Sequence, residues 1–145
     1  MELLYKQIEN IVDKRAPLVS NLANVASLLF KMDNINWAGF YLVRNDDLYL
    51  GPFQGDPACL VIKKGNGVCG TAFARKESII VDDVNSFKGH IACSSLSKSE
   101  IVVPIIKGDN VLAVIDIDAP IYKRFNENDR IFLEKVSALL AKLDW

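Results

Sequence analysis

The sequence predicts an α+β sandwich in which about six short strands form one antiparallel sheet, covered by helices from the N- and C-terminal ends of the chain. Three observations carry this expectation. Apolar residues recur at helical spacing ahead of Lys31 and again beyond Asn126. Between them, β-rich runs from Trp37 to Ile117 are separated by turns containing Gly, Asn and Asp. The strands are thus gathered between helices, as in an antiparallel sheet with helical cover. Finally, 145 residues of which 50% are hydrophobic and 24% charged suit a single domain, residues 1–145. A chain of this length buries roughly 68–70% of its unfolded surface, enough for a core without disulfides or a structural metal.

Each element has its own local reason. Leu3, Leu4, Ile8, Ile11 and Val12 make one apolar helical stripe, and Pro17 suits the first turn of a second helix. Trp37 to Val43 and Leu48 to Gln54 read as strands joined by the polar turn Arg44-Asn45-Asp46-Asp47. Cys59 to Ile62 follows Gly55-Asp56-Pro57 as a third run. Gly65-Asn66-Gly67 interrupts it, Val68 to Lys76 reads as a short helix, and Ile79 to Val81 as a strand. Asp82 to Ser99 is a long loop. Ile101 to Ile106 and Val111 to Ile117 are strands joined by Gly108-Asp109-Asn110, a hairpin signal. Asn126 can cap a last helix whose first turn holds Glu127 and Asp129 and whose apolar stripe is Phe132, Val136, Leu139, Leu140 and Leu143. No repeat, low-complexity tract or linker divides the chain.

Charge and composition exclude several functions. Lys plus Arg number 17 against 18 Asp plus Glu, a balance without the basic excess of a nucleic-acid binder. The N-terminus carries Glu2 and Lys6 where a secretory signal needs a basic-then-apolar order. The longest uncharged stretch, Ala16 to Phe30, contains Ser20, Asn21, Asn24 and Ser27 and is shorter than the roughly 20 apolar residues that span a bilayer. A cytoplasmic protein is expected, with neither nucleic acid nor membrane as partner. There Cys59, Cys69 and Cys93 start as thiols, and their odd number argues against a static disulfide framework.

The residues able to carry chemistry are few. His90 is the one histidine, which excludes two-His metal motifs, and the cysteines form no CxxC pair of the zinc-binding kind. Gly65-Asn66-Gly67-Val68-Cys69-Gly70 matches GxGxxG, but it lacks the βαβ context of a dinucleotide site, and turn-shaping explains its glycines better. Cys93 sits in the long loop within Gly89-His90-Ile91-Ala92-Cys93-Ser94-Ser95, a less natural place for a core thiol, and is the prime nucleophile candidate. Cys59, opening an apolar run, reads most simply as a small buried hydrophobe. Cys69, at a helix start, reads either as packing or as a thiol whose pKa is lowered by the helix terminus.

Asp116 and Asp118 follow Leu112 and Val114 at spacing two, so a regular strand sends all four side chains to one face. The bland alternative is that the strand ends near Ile117 and both acids are solvated. Glu100 opens the partner strand, and the intervening hairpin brings it near both aspartates. Three clustered acids persist when a cation or ligand ammonium sits among them, or when one stays protonated and can donate. Trp37 and Tyr41 share a strand face, with Gly39 between them leaving open space for a small aromatic-walled pocket; ordinary core aromatics are the alternative.

One family matches these residues in order. Asn36-Trp37-Ala38-Gly39-Phe40-Tyr41, Leu50-Gly51-Pro52-Phe53-Gln54-Gly55 through Cys59, Gly67-Val68-Cys69-Gly70, Gly89-His90-Ile91-Ala92-Cys93, Ser99-Glu100-Ile101-Val102 and Asp116-Ile117-Asp118 closely resemble the free methionine-R-sulfoxide reductases, stand-alone GAF-domain enzymes. The resemblance covers residues 30–133 and implies a GAF-like fold. Lys88 stands where the family commonly has Pro, and Ser94 where an Asp is common, a change that bears on the tuning of the Cys93 thiol.

The resemblance implies that Cys93 attacks the sulfur of free methionine-R-sulfoxide, that Cys59 is the main resolving cysteine and that Cys69 is an alternative or secondary one. It implies that Glu100, Asp116 and Asp118 bind the substrate ammonium and supply a proton, while Trp37 and Tyr41 enclose the methyl group. Thioredoxin is the implied reductant, a homodimer is allowed, and no cofactor or metal is called for. Two other classes fit the fold: a ligand-binding GAF module of the signalling kind, and a thiol redox sensor without a substrate. Turnover of free methionine-R-sulfoxide separates all three.

Overall fold

In a computed structural model of the chain, which describes residues 1–89 and 96–145, six strands lie in one sheet in the order β3-β2-β1-β6-β5-β4. The strands are β1 (Trp37–Arg44), β2 (Asp47–Gly55), β3 (Val61–Ile62), β4 (Ile79–Val81), β5 (Ser99–Lys107) and β6 (Asn110–Ala119). Every neighbouring pair is antiparallel. Two tight turns set the register. Asn45 and Asp46 both take positive φ, at 50° and 62°, the geometry that matches the twist of a two-residue hairpin. Lys107 pairs with Asn110 across Gly108-Asp109. That second turn aligns β5 on β6 so that Glu100 lies directly opposite Asp118 and Val102 opposite Asp116.

Among the described residues four α-helices accompany the sheet: α1 (Glu2–Ile11), α2 (Leu18–Leu29), α3 (Gly67–Arg75) and α4 (Glu127–Leu140). The turn between α1 and α2 is tied by Asn21, whose Nδ2 donates to the Asp13 carbonyl at 2.8 Å and whose Oδ1 accepts from the Asp13 N–H at 2.8 Å. Pro17 sits one residue outside α2, at its cap. The expected cap of α4 is a full capping box: Asn126 Oδ1 accepts from the Asp129 N–H at 3.2 Å, and Asp129 Oδ2 accepts from the Asn126 N–H at 2.9 Å. Among the described residues no helix is long and apolar enough to cross a membrane.

The α+β sandwich and its six-stranded antiparallel sheet are as the sequence predicts, with one refinement of the layers. The terminal helices do not hold the sheet between them; α1, α2 and α4 share one face. On that face alternate strand residues are small or apolar, among them Ala38, Phe40, Val103, Ile105, Ile115 and Ile117, and they form the main core with Ile8, Leu22, Leu133 and Val136. Truncating one such residue, Phe40→Ala for example, removes about 3–5 kcal/mol. The other residues of the same strands face α3. Trp37, Tyr41, Val102 and Val114 form a second, smaller cluster there with Val68, Ala72 and Phe73.

Three local expectations change. Regular strand begins at Val61 rather than Cys59. The loop after Val81 contains a 3-10 turn, Val84–Ser86, whose start is capped by the Asp83 side chain accepting from the Asn85 N–H at 3.0 Å. Leu112 packs with the main core instead of lining up with Val114, Asp116 and Asp118. Its neighbour Val111 takes the α3 side instead, because the β5–β6 register shifts between Ile105 and Ile106 and breaks the two-residue alternation.

Candidate active site

The face of the sheet under α3 is where buried apolar cover gives way to polar groups. Alternation sends Trp37 and Tyr41 of β1, Glu100 of β5, and Asp116 and Asp118 of β6 to this side. They meet Cys69 of α3 around a cavity of about 50 Å³. Asn66, Val68, Pro57, Ala58, Ile62 and Ser97 complete the wall.

The aromatic wall is held on both sides. Trp37 and Tyr41 stack with ring centroids 6.0 Å apart, and Trp37 stacks on Phe53 at 5.2 Å. The Trp37 indole N–H donates to the Asp56 carbonyl at 3.0 Å, and the Tyr41 hydroxyl donates to the Cys59 carbonyl at 2.9 Å. Both polar tips are therefore used structurally, leaving ring faces for the pocket. The open space expected above Gly39 is not there: a Cβ at Gly39 would collide with Cβ of Phe53, and this approach coincides with the register shift between Gly39 and Tyr41. The glycine makes room for Phe53 behind Trp37. Gly70 has a similar structural role, since a Cβ there would stand 2.5 Å from the Lys63 carbonyl oxygen. Gly65 and Gly67 take positive φ, at 86° and 64°, so turn geometry at these two and packing at Gly70 account for the GxGxxG match.

Two of the acids are buried, with Asp118 half-buried beside them. Glu100 is 7% exposed and Asp116 5%. Burial first, then the charges of Asp116 and Asp118, push the Glu100 carboxyl well above the ordinary carboxylate range. Asp118 is also raised, by burial and by Asp116, against the opposing effect of hydrogen bonds from Glu100 and Ser97. The hydrogen bond they share raises Glu100 further and opposes the rise of Asp118, which makes Glu100 the proton donor of the pair and Asp118 the acceptor. Tyr41 stays a neutral phenol, raised by burial and then by the charge of Asp116.

Cys69 is a buried free thiol whose Sγ lies 4.0 Å from Glu100 Oε2. Its pKa goes up, not down as a helix start alone would have it. Burial, followed by the charges of Asp116, Glu100 and Asp118, outweighs the helix terminus and keeps the sulfur protonated. Cys69, Glu100 and Asp116 bring possible ligand atoms within 4.8 Å of one another.

Of the candidate residues read from the sequence, the pocket unites Trp37, Tyr41, Cys69, Glu100, Asp116 and Asp118. Cys59 is half-buried beside it, packed against the second cluster, with its carbonyl bound to Tyr41. Cys93, with His90 and Ser94, lies outside the described residues. Ser97 and Asn66 escaped the sequence reading because polar residues in loops carry no periodicity; Ser97's closeness to Glu100 in the chain was the one available signal.

Comparison with known proteins shows what the chain resembles. The chain matches the GAF domain family over residues 8–143. It is 47% identical to the free methionine-R-sulfoxide reductase of Saccharomyces cerevisiae over 98% of this chain and 84% of that protein. Among solved structures, fRMsr of Staphylococcus aureus in its reduced form superposes with a TM-score of 0.93 at 48% identity, over 97% of this chain and 92% of that one. The free methionine-R-sulfoxide reductase of Neisseria meningitidis in complex with its substrate gives 0.91 at 41% identity, over 96% and 84%. On family match, sequence identity and superposition, the chain belongs to the free methionine-R-sulfoxide reductase family of GAF domains.

Proposed function

We propose that the protein reduces free L-methionine (R)-S-oxide to L-methionine. The observation that carries this reading is the meeting of three acids, two of them with raised proton affinity, with a stacked aromatic wall in one small pocket. The acids suit an α-ammonium and a leaving oxygen, and the rings suit a methyl group next to sulfur.

In this mechanism Asp116 and Asp118 take the ammonium, and Trp37 and Tyr41 enclose the S-methyl. The Cys93 thiolate attacks the sulfoxide sulfur while Glu100 delivers its proton to the oxygen. Methionine leaves, the sulfur of the substrate is reduced by two electrons, and the oxygen remains on Cys93 as a sulfenic acid. Cys59 then attacks the Cys93 sulfur, water departs, and a disulfide joins the two cysteines. Thioredoxin reduces that disulfide by thiol exchange, so one dithiol is oxidised and one water formed for each methionine. Cys69 acts at most as a secondary partner, since a protonated, buried thiol is a slow nucleophile. A reducing cytoplasm suits this cycle.

The test is substrate choice with dithiothreitol as reductant. Free methionine sulfoxide should be reduced, while the N-acetylated form, which lacks the ammonium, should be a poor substrate. Equal turnover of the two would remove the role given to Glu100, Asp116 and Asp118.

A further inference from the structure

Asp118 meets a polar chain that the mechanism above does not use. Ser97 lines the pocket and hydrogen-bonds to the Asp118 carboxylate, and Asn36 Nδ2 donates to Ser97 Oγ at 3.2 Å. The directions matter. A hydroxyl carries one hydrogen, so a Ser97 oxygen that already accepts from Asn36 has that hydrogen free for Asp118. With the Asn36 amide turned the other way, Ser97 would give its hydrogen to Asn36 instead.

The backbone fixes both residues against β6. The Asn36 N–H donates to the Asp118 carbonyl at 3.0 Å, and the Lys98 N–H, next to Ser97, donates to the Ala119 carbonyl at 2.8 Å. Ser97 is thereby anchored beside the end of β6. Asn36 Oδ1 is buried without a hydrogen-bond partner, a cost accepted while Nδ2 keeps its bond to Ser97. Among the described residues, Asp118 otherwise faces Asp116 on its own strand and Glu100 on β5.

We propose that Ser97, oriented by Asn36, is a positioning residue that locks the Asp118 carboxylate as an acceptor turned toward the pocket, ready for the α-ammonium of a free amino acid. The inference rests on the reading of the pocket as a methionine sulfoxide site. Neither Ser97 nor Asn36 touches the reacting sulfur. They act through Asp118, so their loss should fall on affinity more than on the rate at saturation.

The test compares Ser97→Ala, Ser97→Thr and Asn36→Asp with the unmodified protein. Affinity for L-methionine, which carries the same ammonium and needs no turnover, is measured by calorimetry. Single-turnover reduction is measured at saturating free methionine sulfoxide. A hydrogen bond to a charged group is worth about ten- to a hundredfold in affinity, so Ser97→Ala should weaken methionine binding by that factor and slow the saturated step much less. Ser97→Thr keeps the hydroxyl and should restore most of the affinity, a rescue that lost packing would not give. Asn36→Asp removes the donor and competes for the Ser97 hydrogen, so it should mimic Ser97→Ala even where that variant folds poorly.

Unchanged methionine affinity in Ser97→Ala or in Asn36→Asp overturns the inference, as does a Thr variant as weak as the Ala one at equal thermal stability. A wild-type protein that binds methionine but reduces no sulfoxide overturns the proposed function alone. A protein that reduces sulfoxide with affinity indifferent to Ser97 overturns this inference alone.

Discussion

Replacing Glu100 by Gln separates proton delivery from shape at the centre of the site. Glu100 is 7% exposed, faces Asp118 across β5 and β6, and has the Cys69 sulfur 4.0 Å away. The amide keeps the volume and a donor toward Asp118 but has no proton to transfer. General acid catalysis contributes about 10²–10⁴-fold, so the methionine-forming step should slow by about 10² or more, with substrate affinity less affected. The same substitution should stabilise the fold in a pH-dependent way. Burial and the neighbouring aspartates raise the folded-state pKa of Glu100 above its unfolded value. The folded chain then holds the extra proton between those two values, and stability falls as pH rises through that interval. The Gln variant lacks this dependence. It should gain little below the unfolded carboxyl pKa, about 4.3, and more as pH increases, at about 2–4 °C in Tm for each kcal/mol at this chain length. Rapid-quench measurement of methionine release in a single turnover, with melting curves at matched pH, reads both effects. A Gln variant whose single-turnover rate is unchanged from pH 6 to 9 would refute the assignment and move the acid to Asp116, Asp118 or water.

Other outcomes follow from the same geometry. Cys93→Ser should abolish reduction even with excess dithiothreitol, which end-point assay of methionine checks. Cys59→Ser should lose thioredoxin-linked turnover while keeping most dithiothreitol-linked turnover, because a small thiol can reduce the sulfenic acid directly. Cys69→Ala should keep most thioredoxin-linked turnover, since its sulfur is protonated and buried. Gly39→Ala should push Phe53 off the back of Trp37, costing about 1–3 kcal/mol by overpacking and raising KM, as denaturation and steady-state kinetics would report.

What could be read from the sequence depended on how local its cause was. The two hairpins were legible because Asn45-Asp46 and Gly108-Asp109 dictate their turns, and the second turn alone was enough to bring Glu100 to Asp118. The capped start of α4 was legible for the same reason. The side of the sheet taken by each helix was not, because it is decided by which alternate residues stay apolar across four strands at once. The space at Gly39 was misjudged because its occupant, Phe53, comes from the neighbouring strand through a register shift. The direction of the Cys69 shift was hidden similarly. A helix start is visible in the sequence, but the burial and three acids that outweigh it converge from β5 and β6. Ser97 and Asn36 sit 61 residues apart, in loops without periodicity, and only the folded chain joins them.

The central claim, that this pocket serves the R-sulfoxide of the free amino acid, is tested most directly by stoichiometry. Racemic free methionine sulfoxide is incubated to completion with the protein and an excess of reduced thioredoxin, and methionine, residual sulfoxide enantiomers and oxidised thioredoxin are all counted. The account predicts methionine equal to half the starting sulfoxide, one thioredoxin disulfide for each methionine, and a residue of pure S-sulfoxide. Complete consumption of both forms, or no methionine formed in the presence of working thioredoxin, would contradict it.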